Sequence, residues 1–327
     1  MHKTLVVGLR SRGAAWARAV AEHPEFELAG IVDIDPETLA KRGAEFEVPE
    51  DARYTDHKAA LGSGGYAACV VVVPHKLHYA ITKDALEAGL HCLTEKPFTM
   101  DLAEAEELVA LADSRARVVE VVQNYRYRAS ALHVAQAIRE ERLGRLANIE
   151  GRFHRYRPPN GPHETGMPFP VLFTQSVHHL DWLVSVLPAP IADVFARHQR
   201  VPWSKWANPS VCHVTLCCAD GVLASYQASY ESQGEISDYG GRWRCEFEKG
   251  DLIVEDDQRV WQVTDRGKTR ECVLDNSKEA RSGDLCLLDD LHEAIVNGTE
   301  PPTSGRDNLK TLKVLFEIMA SWNATKV

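Results

Sequence analysis

Two side chains in this sequence combine a reactive type with a setting that supports charge or proton transfer. Lys96 follows the apolar segment Leu90–Glu95 and precedes Pro97, which cuts a strand off and fixes where the lysine projects. The carboxyl end of a parallel strand is where such sheets bind ligands. An ammonium there can hydrogen-bond a reacting oxygen and stabilise its developing negative charge. His178 falls on a helix read from the periodicity of Gln175–Leu187. Val177, Leu180, Val184 and Leu187 mark the stripe expected to be buried. Thr174, His178, Asp181 and Ser185 share a second face at i, i+3 and i+4 spacings, and that face can look into a cleft. Neutral imidazole is a natural proton acceptor near physiological pH, and Asp181 is placed to orient it. Adjacent helix positions diverge, so His179 points elsewhere. A metal site built from His178, His179 and Asp181 is disfavoured for the same reason, and no metal is expected.

A third feature is suited to phosphate. Gly8-Leu9-Arg10-Ser11-Arg12-Gly13 follows the strand-like segment Lys3–Val7 and opens a helical period at Ala14, Ala17, Val20 and Ala21. Such a turn offers a pyrophosphate the free N–H groups and positive dipole end of a helix. Arg10 stands where the dinucleotide fingerprint has its second glycine, so the turn is more open or Arg10 itself covers the phosphates. Asp33 ends the second strand 20 residues after Gly13, where an acidic residue holds the ribose hydroxyls. Its carboxylate repels a 2′-phosphate, which favours NAD, while Arg10 and Arg12 leave NADP open. Asp33 or Asp35 has a second use as a cap for the helix opened by Pro36.

These residues need a scaffold, and the first 123 positions describe one. Lys3–Val7, Phe26–Asp33, Ala67–Val73, Leu90–Glu95 and Val118–Gln123 read as strands. They alternate with helices: one stopped by His23-Pro24, one from Pro36, one over Leu77–Ala88 ended by Gly89, and one capped by Asp101 and running to about Arg115. Repeated β-α units imply a doubly wound parallel sheet. Ala67–Val73, apolar throughout, suits a central strand covered on both faces.

The second half differs. A helix near Ser130–Glu141 precedes extended segments at Leu146–Arg155, Ile191–Gln199, Val211–Cys218, Val222–Tyr230, Arg242–Glu248, Leu252–Val254, Val260–Thr264 and Arg270–Leu274. The turn pairs Asp220-Gly221, Lys249-Gly250 and Arg266-Gly267 make several of these successive hairpins. The Gln175–Leu187 helix interrupts them, and helices at Asp284–Asn297 and Arg306–Trp322 close the chain. The expected fold class is therefore α/β plus α+β. A Rossmann-type doubly wound parallel sheet spans 1–123, and an open, mostly antiparallel sheet domain for substrate binding and oligomerisation spans 124–327. The last helix, 306–322, is free to pack back on the first domain. Arg157–Pro170, with five Pro and two Gly among 14 residues, reads as a lid.

Composition narrows the classes of function. A chain of 327 residues, 44% hydrophobic and 26% charged, is neither disordered nor fibrous and is long enough for two cores. Forty-seven acidic against 37 basic side chains give a net charge of −10, which repels phosphate backbones and argues against nucleic acid. The longest apolar run, Ala67 to Val73, is too short for a bilayer, and the start runs straight into a strand with no signal peptide ahead of it. Eight cysteines without a C-x-x-C pair, several inside apolar strands, read as reduced buried thiols. The expectation is a soluble cytoplasmic protein without membrane contact.

Glu95-Lys96-Pro97, preceded by Ala88-Gly89-Leu90-His91-Cys92-Leu93-Thr94, resembles the glucose–fructose oxidoreductase/inositol dehydrogenase/rhizopine catabolism (Gfo/Idh/MocA) family. Pro74-His75-Lys76-Leu77-His78, Asn124-Tyr125-Arg126-Tyr127, Gly144-Arg145-Leu146, His178-His179-Leu180-Asp181 and Gly305-Arg306-Asp307-Asn308-Leu309 carry the likeness along the chain in order. The resemblance implies a hydride transfer between a nicotinamide cofactor and a carbinol carbon of a sugar, cyclitol or related polyol. It also implies a catalytic lysine at Lys96 and a D-x-x-x-H pair whose histidine is His178. The aspartate position of that pair holds Thr174, a departure that leaves His178 as sole base with Lys96 as electrostatic clamp. Pro74, His75, His78 and Glu95 are assigned with Lys96 to the cofactor side. Tyr125, Arg126, His154 and Arg155, with Thr174, Lys96 and His178, are assigned to the substrate side. The arginines there, with Arg157, would tolerate an acidic sugar, although His154 and Arg155 alternate on a strand and cannot both face the substrate. A homo-oligomer formed through the C-terminal sheet would cover its open face. Two rivals stand beside this reading: a nicotinamide-binding sensor without turnover, and a glycosidase assisted by bound NAD.

Overall fold

The computed structural model of the chain describes residues 1–275 and 281–323. Its first strands are β1 (His2–Val7), β2 (Phe26–Val32), β3 (Arg53–Tyr54), β4 (Ala68–Val71), β5 (His91–Thr94) and β6 (Val119–Val121). They pair in parallel throughout, in the order β3-β2-β1-β4-β5-β6. Strand order reverses between β1 and β4, the switch point at which open α/β sheets bind ligands. The connecting helices are α1 (Ser11–Glu22), α2 (Pro36–Glu45), α3 (His57–Ser63), α4 (His78–Glu87) and α5 (Leu102–Ser114). Their starts are set chemically. The Asp35 and Asp56 carboxylates accept from Glu37 N and Lys58 N, and Asp101 accepts from Ala103 N and Glu104 N. β4 is buried at every position, as an apolar central strand must be. The sequence reading omitted β3 and α3, because a two-residue edge strand carries no periodicity.

The later elements are α6 (Ala129–Arg139), β7 (Leu146–His154), the single turn α7 (Pro162–Thr165) and α8 (Val177–Val186). Then come β8 (Ile191–Gln199), β9 (Val211–Cys218), β10 (Leu223–Ser229), β11 (Arg242–Phe247), β12 (Gly250–Val254), β13 (Val260–Thr264) and β14 (Thr269–Leu274). α9 (Gly283–Asn297) and α10 (Gly305–Asn323) complete the described chain. The second sheet runs β14-β13-β12-β11-β7-β10-β9-β8 and is antiparallel except where β10 lies parallel to β7. That one parallel pair is invisible to hairpin signals, because its strands are far apart in the chain. Ile149 and Phe153 of β7, Tyr226 of β10 and Trp243 of β11 are buried on one face, where the Phe153 and Trp243 rings meet His179 of α8. Arg152, His213 and Arg244 stand exposed on the other.

The described residues form two compact units, one from Met1–Asn124 with Arg281–Lys310 and one from those of Tyr125–Ala280 with Thr311–Val327. This differs from a single cut at 123/124, because the segment after Arg281 returns to the first sheet. Thr303 O accepts from Val121 N, and Arg306 pairs with Asp113 of α5. α10 begins in the first unit, but from Thr311 onward it belongs to the second. There Ile318 O accepts from His198 and Ser321 donates to Ala196 O. The last helix is thus divided between the two units at Lys310/Thr311.

Glu120 is an oddity of the first unit. It lies fully buried on β6, its Oε1 accepts from Thr303 Oγ1, and its Oε2 has no hydrogen-bond partner among the described residues. Burial pushes its pKa well above the usual carboxylate range. The folded protein therefore holds this proton at pH values where the unfolded chain has released it, so stability declines as pH rises from the ordinary carboxylate range toward the raised value. Glu120→Gln is expected to raise the melting temperature at pH 8 and to give no gain at pH 4. Thermal scans of both proteins across that range check this, and parallel curves would contradict it.

Candidate active site

In the first unit, Gly8 sits just past β1 with φ +90°, and a Cβ there would lie 2.0 Å from Val72 O. A Cβ on Gly13 would lie 1.9 Å from Gly8 O. Both positions thus require glycine, on steric grounds at each and on conformational grounds at Gly8. Arg10 is the N-cap of α1 in extended conformation, no side chain among the described residues caps the helix, and its first turn holds no acidic residue. Arg10, at the second-glycine place, is exposed. An uncapped helix start on a tight glycine turn fits a pyrophosphate.

The Asp33 carboxylate is buried and already busy. Oδ2 accepts from Leu9 N at 2.7 Å and Oδ1 from Asp35 N at 3.0 Å. Asp33 thereby ties the end of β2 to the glycine turn, and its oxygens keep further lone pairs for ribose hydroxyls. Asp35, not Asp33, caps α2.

Gly8, Arg10, Asp33 and Pro74 line a cleft of about 450 Å³ at the end of β1 and β4, together with Ile34 and Leu77. Ile34 and Leu77 are exposed apolar side chains, 85% and 47% accessible, and give this cleft greasy walls suited to a flat base. The sequence reading missed both. Ile34 had a signal, an apolar residue directly after a strand-end acid.

Other residues assigned to the cofactor serve as supports. Arg12 donates from Nε to Glu95 at 2.6 Å, and from Nη1 and Nη2 to Asp284 at 2.6 and 2.8 Å. Its charge is therefore answered twice and is not held in reserve for a 2′-phosphate. Glu95 Oε1 also accepts from Trp16 Nε1, and Oε2 accepts from Lys96 N at 3.1 Å. Glu95 thus fixes the backbone from which the half-buried Lys96 departs, at the same strand-end edge as the glycine turn. His78 is buried, and its ring nitrogens lie 2.7 Å from Pro97 O and 2.9 Å from Val73 O. It staples the turn after Lys96 to the end of β4, which corrects its assignment to the cofactor. His75 is half-buried. Burial, then repulsion from His78, Lys76 and Lys96, lowers its pKa. Ser11, Arg12, Gly13, His75, His78, Glu95 and Lys96 are not among the residues lining the cleft.

In the second unit the sequence reading needs more correction. Leu172–Ser176 forms a π turn ahead of α8, which changes the phase between Thr174 and His178. α8 itself is buried nearly all round: Val177, His178, His179, Leu180, Asp181, Trp182, Leu183 and Val186 are all inside. Asp181 faces Arg126 and Thr311. Its Oδ2 accepts from Arg126 Nε at 2.6 Å, and its Oδ1 accepts from Arg126 Nη2 and Thr311 Oγ1, each at 2.8 Å. Arg126 is thereby committed to a buried ion pair. The His178 ring stacks on that of Tyr125, 4.3 Å away at an interplanar angle of 6°. The Arg128 guanidinium is 4.2 Å from the same Tyr125 ring.

Thr174 donates to Pro170 O at 2.6 Å, so the hydroxyl of Tyr230, also at 2.6 Å, donates to Thr174. Burial pushes the Tyr230 phenol up to about 12, so it stays a donor. His179 is a core histidine between the Tyr226 hydroxyl and Tyr239 O, with its pKa lowered by burial to about 4. His154 and Arg155 do face opposite ways. Phe153 turns to His179, which puts His154 on the other face with Arg152; burial and then Arg152, Arg242 and His213 lower its pKa. Arg155 instead lies over the Tyr239 ring at 4.1 Å. Gln175, which bonds Tyr125 and Tyr239 O, went unnoticed in the sequence, as did Tyr230 and Tyr239.

Residues 2–123 match the family model "Oxidoreductase family, NAD-binding Rossmann fold", and residues 131–253 match the GFO/IDH/MocA C-terminal domain. The chain belongs to this oxidoreductase family, and its first unit carries the family's NAD-binding domain. An uncharacterized protein, y4oX, of Sinorhizobium fredii is 23% identical over 98% of this chain and 93% of its own length. A UDP-N-acetylglucosamine 3-dehydrogenase of Acidithiobacillus ferrooxidans is 28% identical over 69% of this chain and 66% of its own. An oxidoreductase of Agrobacterium radiobacter, solved with NAD+, L-tartaric acid and magnesium, superposes with a TM-score of 0.87 at 20% identity, covering 98% of this chain and 96% of that one. At that identity the last comparison speaks for the fold.

Proposed function

We propose that the chain transfers a hydride between NAD and a carbinol carbon of a sugar, cyclitol or related polyol. The observation that carries this reading is the pairing, on one sheet edge, of the uncapped α1 turn with its two required glycines and of Lys96 at the end of β5. The kinship with a sugar-nucleotide dehydrogenase points to the substrate class. Bound NAD supplies the hydride acceptor. Lys96 holds the reacting oxygen and stabilises the partial negative charge that develops on it as its proton leaves, before hydride departure forms the carbonyl. His178 takes the hydroxyl proton, held flat by Tyr125. Thr174 offers no carboxylate near the histidine, so His178 is the sole base.

Asp33 favours NAD over NADP, and Arg12, tied to two carboxylates, does not offset it. A second copy of the chain covers the open face of the second sheet, where Phe195 and Leu223 are exposed. A reducing cytoplasm suits eight free cysteines. Among the described residues no helix is long and apolar enough to cross a membrane.

The test is a spectrophotometric screen of purified protein with NAD and NADP against sugars, cyclitols, sugar acids and nucleotide-linked sugars. Reduction of NAD with at least one of them, at a lower KM than for NADP, is expected. NADP preferred at matched turnover would overturn the cofactor assignment. Binding of NADH with no substrate-dependent absorbance change in either direction would overturn the enzyme reading in favour of a sensor.

A further inference from the structure

Building on that reading, we propose that the substrate carries an anionic group, a carboxylate or a phosphate, and that Arg155 receives it. Arg126, Arg128, Arg155 and Arg157 are the arginines set around the aromatic cluster of Tyr125, Tyr230 and Tyr239. Three are matched to carboxylates: Arg126 to Asp181 at 2.6 Å, Arg128 to Asp238 at 2.7 Å and Arg157 to Glu164 at 3.0 Å. Arg155 has no carboxylate partner among the described residues. Its one protein acceptor is Ser237 O, reached from Nη1 at 3.1 Å, and its guanidinium rests on the Tyr239 ring. The Nε and Nη2 edge makes no hydrogen bond to the described residues. Two parallel N–H donors on one edge of a guanidinium are the fork that carboxylates and phosphates occupy in bidentate fashion. The aromatic ring beneath holds the plane of that fork, so little freedom is lost when an anion binds.

Location supports the assignment. The Tyr239 ring is 6.4 Å from that of Phe153, and its carbonyl accepts from Gln175 and from His179. Gln175 also reaches the hydroxyl of Tyr125, the ring that stacks on His178. The cation and the proposed base are thus joined through one short network within the second unit. Tyr239 is 46% accessible and presents an apolar face for the carbon–hydrogen side of a sugar. Two residues on, Arg157, paired with Glu164, lies 5.2 Å from the Tyr230 ring.

Calorimetric titration of the full chain, with and without NADH, tests this with three probes of one carbon skeleton: glucitol, gluconate and glucitol 6-phosphate. At least one anionic probe is expected to bind tenfold or more tightly than glucitol, consistent with one charge-assisted fork at about 10- to 100-fold. Gluconate or glucitol 6-phosphate as the tighter ligand separates carboxylate from phosphate. Arg155→Gln is expected to remove the advantage of the anionic probe over glucitol, and Arg155→Lys to restore part of it, with melting temperatures confirming that both variants fold. Anionic probes binding no better than glucitol, or binding Arg155→Gln as they bind the parent, would overturn the proposal. Hydride transfer is read separately by absorbance. Arg155-dependent binding in a protein that oxidises nothing would sink the oxidoreductase reading and leave this site standing.

Discussion

Lys96→Ala is expected to lower kcat by on the order of 10³, a product of modest acid-base and oxyanion-type contributions, while NADH binding stays near that of the parent. The first half follows from the role proposed for the ammonium: it opposes the alkoxide charge that grows as the hydroxyl proton moves to the base ahead of hydride departure, so its loss falls on turnover more than on ground-state binding. The second half follows from placement. Lys96 is not among the residues lining the cleft at the ends of β1 and β4 proposed for the nucleotide, whereas Gly8, Arg10, Asp33 and Pro74 are. The backbone at Lys96 is held by Glu95 Oε2 and the flanking turn by His78, so truncating the side chain leaves its support intact. Steady-state kinetics with the best substrate of the screen, beside fluorescence titration of NADH, separates the two effects. Turnover within about threefold of the parent would remove Lys96 from the chemistry, since even a modest acid-base role contributes more.

How much of this was legible in the sequence depends on the distance over which each feature is determined. Helix starts at Pro36 and Asp101, the apolar run of β4 and the glycine turn are local, and the fold carries them where they were read. Features fixed by partners far along the chain were not legible. Arg12 reads alone as a spare cation, but its partner Asp284 lies 272 positions away. Asp181 reads as the orienter of a histidine three positions back, yet it faces Arg126, 55 positions back. The π turn at Leu172–Ser176 defeats helical arithmetic differently: one extra residue per turn moves Thr174 out of the stripe a 3.6-residue period assigns it. Thr174 is the family departure noted in the sequence, and the hydroxyl of Tyr230 now bonds it.

Asp181→Asn gives the largest expected loss of stability. Asp181 is fully buried, and the Arg126 side chain is 13% accessible, so neither charge is well solvated in the fold. The asparagine keeps the shape of the carboxylate but removes its charge, and its amide donors are set against the donors of Arg126. Removing one partner of a buried ion pair costs about 3–5 kcal/mol, because the other charge stays buried and unanswered. For a unit of this size that corresponds to a fall in melting temperature on the order of 10 °C, read by calorimetry at neutral pH. A second variant separates the pair from its surroundings. Arg126→Met combined with Asp181→Asn leaves no uncompensated charge and is expected to recover a large part of the loss. The alternative suggested by the sequence, an aspartate that tunes His178, makes a different forecast: little change in stability and a shifted pH profile of kcat/KM. With both oxygens of Asp181 occupied by Arg126 and Thr311, and His178 stacked on Tyr125, the profile of whatever Asp181→Asn remains folded should match that of the parent. A melting temperature close to the parent's, together with a displaced profile, would return Asp181 to the role the sequence gave it.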